Sequence, residues 1–246
     1  MTDRATSFGS DAARYNTVRP GYPPEIVERL ARPGDTVLDI GAGTGLATRM
    51  FAERGFDVVG VEPDSRMVEV ATEEGLSVER ARFEDWDARG RRFDLVTCAQ
   101  AWWWLDRAVA IPKIAELLRP GGHLGVFWNS GGASDPLTIE LAETYERIGA
   151  GAVREPMLPG GFRPAVEDDL VSSAQFVDLA TEHFKWTRTY MRDEWVDAAC
   201  TFSDVIRAAP AIRDALLAEI RAVIDRRGGH REVKVVTTLV AATRAS

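Results

Sequence analysis

Lysine is almost absent from this 246-residue chain: Lys113, Lys185 and Lys234 stand among 30 basic side chains, the other 27 being arginine. High-GC codon usage accounts for that skew better than arginine-specific recognition, so Arg89, Arg91 and Arg92 carry no functional weight. Positive charge is short as well. Against the 30 basic residues stand 38 acidic ones, a formal charge of −8. Phosphate backbones are bound by basic surfaces, so this balance disfavours a general nucleic-acid binder. Two cysteines far apart, Cys98 and Cys200, and no signal-like apolar segment near the N-terminus fit a reduced, cytoplasmic protein. No apolar run approaches the length of a membrane span, and there is no repeat or low-complexity tract. Histidine is limited to His123, His183 and His230. What remains is enough chain for one α/β domain with a full core.

The densest information lies in Val37-Leu38-Asp39-Ile40-Gly41-Ala42-Gly43-Thr44-Gly45. It reads as a buried strand, a glycine-rich turn and the opening of a helix over Leu46 to Glu53. Glycines at alternate positions let a ligand come close to the backbone. A dinucleotide site wants G-x-G-x-x-G. Here the third glycine comes one residue early, and Leu46 occupies the place where that pattern needs Gly or Ala. A second strand, Val58 to Glu62, ends in an acid 21 residues beyond Gly41, where a carboxylate can accept both ribose hydroxyls of a nucleoside. A third, weaker strand covers Ser77 to Ala81 and leads to Phe83-Glu84-Asp85-Trp86. The fourth is Phe93 to Ala99. Leu118-Arg119-Pro120-Gly121-Gly122 reads as the turn into a fifth, His123 to Trp128.

D-x-G-x-G-x-G closing a first strand resembles motif I of the class I S-adenosylmethionine-dependent methyltransferases, and the segments from 36 to 128 follow that family's order. Tyr15 with Arg19-Pro20-Gly21-Tyr22-Pro23, Phe83-Glu84-Asp85-Trp86, Ala99-Gln100-Ala101-Trp102 and Phe127-Trp128-Asn129 resemble a bacterial small-molecule subgroup of the type 11 methyltransferases. The resemblance implies a doubly wound, seven-stranded Rossmann-like α/β sheet, mostly parallel with an antiparallel last strand. It also implies S-adenosyl-L-methionine as methyl donor, S-adenosyl-L-homocysteine as product, and no metal. Relatives often carry histidine between two tryptophans where this chain has Trp103, so no role of that histidine carries over.

The expected organisation is a single domain over 1–246. Residues 1–35 form an N-terminal flap with a short helix from Glu25 to Leu30; 36–130 form the donor-binding half and 131–246 the substrate-side half. Asp64 is a plausible helix N-cap, with Met67, Val70 and Ala71 on one face of that helix. Pro112 should kink the helix before strand five or delay its start. Leu137 to Ile148 and Ile212 to Ile224 repeat at helical spacing. Residues 150–164, rich in Gly and Pro, resemble a mobile loop. Phe176 to Tyr190 suggests a sixth strand and Val233 to Ala242 the last.

A sulfonium donor and an anionic nucleophile lose charge on reaction, so a dry pocket that holds them in line can suffice without a nucleophilic side chain. In such sheets ligands sit beyond the C-terminal strand ends. The resemblance and that rule together give the expected donor contacts: Asp39, Gly41, Ala42, Gly43, Gly45, Glu62, Met67, Phe83, Glu84 and Gln100, with Tyr15 and Arg19 from the flap. Trp102, Trp103, Trp128, Trp186 and Tyr190 lie near strand ends and suggest a flat or apolar small-molecule acceptor. Trp102, Trp103 and Trp104 cannot all face one side in a single helical turn. No catalytic base stands out, since His123 opens a strand at the wrong end of the sheet, His183 sits mid-strand and His230 lies in a turn. Two readings stay open beside methyl transfer: a donor-binding protein or non-methylating catalyst on the same scaffold, and an NAD-dependent oxidoreductase.

Overall fold

The computed structural model describes residues 11–149, 153 and 165–245. Its strands are β1 (Thr36–Ile40), β2 (Asp57–Glu62), β3 (Val78–Arg80), β4 (Phe93–Ala99), β5 (Leu118–Gly131), β6 (Phe176–Met191) and β7 (His230–Arg244). They form one sheet in the order β3-β2-β1-β4-β5-β7-β6. β1 pairs in parallel with both β2 and β4, β2 with β3, and β4 with β5. The sheet is mostly parallel with an antiparallel end, a Rossmann-like α/β arrangement. Strand order reverses between β1 and β4, which makes the space beyond their C-terminal ends the topological switch point.

The core follows from side-chain alternation along these strands. Leu38, Ile40, Val96, Cys98, Leu124, Val126, Trp128, Val240 and Ala242 belong to one apolar cluster. Their neighbours Val37, Leu95, Phe127 and Leu239 belong to another. A sheet buried on both faces needs continuous apolar runs, and β1 and β4 supply them. Helix α2 (Glu25–Leu30) and α3 (Leu46–Ala52) cover the second cluster through Ile26, Val27, Leu30, Ala47 and Phe51. Helix α5 (Arg107–Leu117) and α7 (Val166–Ser173) cover the first through residues such as Ile114 and Leu170. Between α3 and α5, α4 (Ser65–Glu73) follows β2, capped by Asp64, whose side chain accepts from the Arg66 N–H.

The chain divides into two compact units. The sheet unit comprises Gly21–Asn129, Pro164–Phe184 and Thr237–Ser246. The second comprises Met1–Pro20, Ser130–Arg163 and Lys185–Val236, so the boundary at Gly21 falls inside the segment expected as a flap. The core of the second unit gathers residues of α1 (Ala12–Val18), α6 (Pro136–Gly149), α8 (Arg192–Cys200) and α10 (Pro210–Arg226), among them Val18, Leu141, Tyr145, Trp195, Leu216 and Ile220. A short α9 (Ser203–Arg207) precedes α10.

Several local expectations need correction. Residues 118–122 lie inside β5 and are not a separate turn; the pairing with β4 shifts register between Phe93 and Leu95, and Gly121 takes a φ of +76° in this irregular stretch. Helix α5 starts at Arg107, where the Asp106 side chain accepts from the Ala108 N–H, so Pro112 does not delay it. β3 is only three residues long. The sequence reading contained no helix at Ala12–Val18, which Asp11 caps through the Arg14 N–H and which buries Ala12 and Val18. Apart from Val153, the loop expected at 150–164 lies outside the described residues.

Candidate functional site

The loop from Gly41 to Gly45 leaves β1 at the switch point and opens α3. Gly45 stands at the N-cap with φ +86°. A Cβ on Gly41 would collide with the Ala101 side chain beyond β4, so close approach fixes glycine there. At Gly43 a Cβ would meet nothing within 4 Å, yet φ is +57°. That glycine is required by backbone conformation, and the space beside it is open. Asp39, fully buried, anchors the loop from below: Thr48 Oγ1 donates to its Oδ2 at 2.7 Å and Thr97 Oγ1 to its Oδ1 at 2.9 Å. The carboxylate thus ties α3 to β4. Burial pushes its pKa up to about 6, against the two threonine hydroxyls that favour the anion. Ala42 is buried beneath the loop, against Gly60 of β2.

Glu62 closes β2 and turns back onto the same loop. Its Oε2 accepts the Gly43 N–H at 3.0 Å and its Oε1 accepts the Asp64 N–H at 2.9 Å. Burial pushes the carboxyl up to about 7; the two backbone N–H groups oppose this, and the charges of Asp64 and Asp39 add to it. A carboxylate offers about four lone-pair sites. Two are used within the fold, which leaves capacity for a pair of hydroxyl donors. Met67, in the first turns of α4, is buried in the sheet unit.

The turn after β3 is a single 3-10 turn, Phe83–Asp85. Phe83 packs in the core, and Glu84 Oε1 accepts the Asp106 N–H at 2.8 Å, so that acid binds the N-terminal end of α5. From the same helix Lys113 Nζ donates to the carbonyls of Phe83 at 2.7 Å, Glu84 at 3.0 Å and Trp86 at 2.5 Å. All three ammonium protons are spent on this turn. Burial pulls the lysine pKa down, opposed by the nearby Asp85, Glu84, Asp87 and Glu116. The sequence reading missed Lys113; its one signal was the rarity of lysine.

Beyond β4, Gln100 adopts φ +56°, a left-handed conformation uncommon outside glycine. Its N–H donates to the Phe127 carbonyl at 2.9 Å. Trp102–Trp104 form the following 3-10 turn. Trp102 is a core residue at 1% exposure, and its Nε1 donates to Asp169 Oδ2 at 2.9 Å, an oxygen that also meets Arg107 at 3.1 Å. Trp103 and Trp104 are half-buried and pack against the same cluster. Trp128 is buried on the same face of the sheet. The three consecutive indoles therefore divide their work, one inside and two at the margin.

Four of the expected residues belong to the second unit and are described there alone. Arg19 Nε donates to Thr201 Oγ1 at 2.9 Å and Nη2 to the Thr201 carbonyl at 2.7 Å. Its guanidinium lies 4.8 Å from the Tyr15 ring centroid. Tyr190 is buried, edge-on to Trp195 at 5.2 Å, and burial raises its phenol against the lowering pull of Arg188, Arg19 and Arg231. Trp186 is half-buried beside that core. Two histidines meet threonines of β7: His183 Nδ1 is 3.1 Å from Thr238 Oγ1 and His123 Nδ1 is 3.4 Å from Thr243 Oγ1. His230 Nδ1 lies 3.1 Å from the Gly228 carbonyl.

Comparison with known proteins bears on this geometry. The family profile described as a methyltransferase domain matches residues 37–122. An uncharacterized methyltransferase of Mycobacterium tuberculosis is 32% identical over 226 residues, 90% of this chain and 87% of its own length. One of Schizosaccharomyces pombe is 26% identical over 234 residues, 89% of this chain and 87% of its own. Among solved structures, a protein of Anaeromyxobacter dehalogenans described as a type II methyltransferase gives a TM-score of 0.65 at 20% identity, covering 92% of this chain and 97% of that one. Phosphoethanolamine N-methyltransferase 2 of Haemonchus contortus, in complex with phosphomonomethylethanolamine and S-adenosylhomocysteine, gives 0.59 at 17% identity over 99% of this chain and 59% of that one. The solved structures establish the fold, and the mycobacterial relative, alike over nine-tenths of the chain, establishes the family. The chain belongs to the class I S-adenosylmethionine-dependent methyltransferases.

Proposed function

We propose that this enzyme transfers a methyl group to a small-molecule acceptor, with the loop Gly41–Gly45 and Glu62 holding S-adenosylmethionine. The residues suit that group. The space beside Gly43 admits a ligand against the backbone, and Glu62 keeps lone pairs for two ribose hydroxyls after accepting the Gly43 and Asp64 N–H groups. The bound donor supplies an electrophilic methyl on a sulfonium. The protein supplies position and dryness. Gly41, Ala42, Gly43 and Gly45 shape the approach of the methionine portion, and Asp39 fixes their loop through Thr48 and Thr97. Met67 and the 83–84 turn border the adenine. Gln100, strained at φ +56°, stands between donor and acceptor with its side chain aimed by an unusual backbone. Such strain persists where surroundings fix it and often marks a functional position.

The acceptor reading follows from the aromatics. Trp103 and Trp104 remain at the margin of the core after Trp102 is committed to Asp169, which supports giving them the wall of a flat-substrate pocket. No side chain is assigned as a base; an acceptor that arrives anionic needs none, and alignment alone is worth roughly 7–11 kcal/mol of barrier. The observation that carries the reading is the carboxylate of Glu62 folded onto the Gly43 N–H. The test is release of S-adenosylhomocysteine across a panel of phenols, amines and carboxylic acids. Donor binding without turnover on any acceptor would reject a methyl-transfer function for small molecules.

A further inference from the structure

The arginines of the second unit fall into two kinds. Most that meet charge meet a carboxylate, as Arg192 meets Asp193 and Asp225, and Arg227 meets Glu140. Arg19 and Arg188 do not. Among the described residues neither lies within ion-pairing distance of an acid, in a chain whose formal charge is −8. Both are held in place by other means. Arg19 is fixed by Thr201 and lies 4.1 Å from the Phe202 ring centroid as well as against Tyr15. Arg188 Nη1 donates to the Arg19 carbonyl at 2.8 Å, and its guanidinium covers the Tyr190 ring at 4.4 Å.

This arrangement fixes the two cations while leaving part of each fork unused. Ring contacts occupy guanidinium faces, whereas hydrogen bonds leave from the edges. Arg19 has committed Nε and Nη2, and Arg188 has committed Nη1. Arg19 Nη1 and Arg188 Nε and Nη2 have no acceptor among the described residues. The acid that acts on Tyr190, Glu194, accepts the Met191 N–H through Oε2 at 2.7 Å at the start of α8 and forms no ion pair with Arg19 or Arg188 among the described residues. Half-buried, pre-oriented and unneutralised guanidinium groups are costly to keep unless an anion completes them. Planar carboxylate and phosphate oxygens match such edges in bidentate fashion.

We propose that Arg188 and Arg19, framed by Tyr15, Tyr190 and Phe202, bind an anionic small molecule, a carboxylate or a phosphate monoester. The full-length protein, saturated with S-adenosylhomocysteine, is titrated calorimetrically with benzoate, phenyl phosphate and uncharged benzamide. Wild type is compared with Arg188→Met and Arg188→Lys. At least one anion should bind about tenfold or more tightly than the amide, and which one tells carboxylate from phosphate. Arg188→Met should abolish that preference, Arg188→Lys should keep part of it, and S-adenosylhomocysteine affinity should stay within about twofold of wild type in both. Equal binding of the anions and the amide by wild type overturns the proposal, whether or not the variants fold. A parallel loss of S-adenosylhomocysteine affinity in Arg188→Met also overturns it, because the box would then serve the carboxylate of the donor. If S-adenosylhomocysteine fails to bind wild type, the donor reading falls, and the anion preference is still read by titration without it.

Discussion

Replacing Glu62 by glutamine separates two effects that the structure sets in opposition. In the free protein the carboxyl is pushed up to about 7 from an ordinary value of 4.5, chiefly by burial. A raised carboxyl pKa means that the folded state holds a proton which the unfolded chain releases. Its contribution to stability is therefore complete below about pH 4.5 and lost as pH rises through about 7, with a span of about 3 kcal/mol. Donor binding runs the other way. Ribose hydroxyls are held best by the anion, whose charge-assisted bonds are worth about 1.5–3 kcal/mol, or roughly 10- to 150-fold in Kd. Wild-type affinity for S-adenosylhomocysteine should rise about tenfold from pH 6 to a plateau above pH 8 as Glu62 ionises. Glu62→Gln should bind weakly at every pH, with a flat profile across that window. It should also lose the part of the melting-temperature decline between pH 5 and 8 that Glu62 causes. Calorimetric titrations and thermal melts of both proteins at matched pH give the two readouts. A variant that keeps wild-type affinity and slope at pH 8 would refute the reasoning.

Gly41→Ala and Gly43→Ala should fail differently. The first drives a Cβ into Ala101 and should lower the melting temperature by several degrees; the second enters open space at φ +57°, costs about 1–2 kcal/mol of strain, and should weaken donor binding in a protein that melts cooperatively. Equal donor affinity in Gly43→Ala and wild type would mean that the open space is not a ligand cradle. Lys113→Met removes the donor to three carbonyls of the 83–86 turn and should raise the Kd for adenosine as well as for S-adenosylhomocysteine, whereas Lys113→Arg should restore part of it; unchanged adenosine affinity in the folded methionine variant would detach that turn from the adenine. Trp103→His should reorder preference across an acceptor panel more than it changes donor affinity, since Trp103 is only half-buried. A lower melting temperature with the acceptor order intact would instead make Trp103 a packing residue.

Legibility from the sequence followed the kind of force involved. β1 and β4 are central strands covered on both faces, and their apolar runs announce them with their boundaries. β3 sits at the sheet edge with three residues, none of them buried, so its pattern is faint. The short helix Ala12–Val18 has too few residues to show a period, and its meaning comes from packing in the second unit. The three indoles at Trp102–Trp104 could be recognised as a group, but which one enters the core is set by Asp169, 67 residues away. Thr48 and Thr97 look unremarkable in sequence. Only the fold brings both hydroxyls to Asp39.

The two halves of the chemistry are encoded in different ways. The donor handling proposed above rests on features that few residue types can provide: left-handed φ angles at Gly41, Gly43 and Gly45, a close approach to Ala101, and buried carboxylates at two strand ends. These constraints fall between residues 39 and 101, inside the stretch that the methyltransferase profile matches. The pair Arg19 and Arg188 depends on side chains set by tertiary placement, each replaceable by many residues without harm to the backbone. Both lie outside that stretch. The loop is therefore constrained by backbone geometry, and the proposed anion box by side-chain chemistry alone. Arg188 acquires meaning only once Arg19, Tyr190 and the lack of a paired acid among the described residues are seen together.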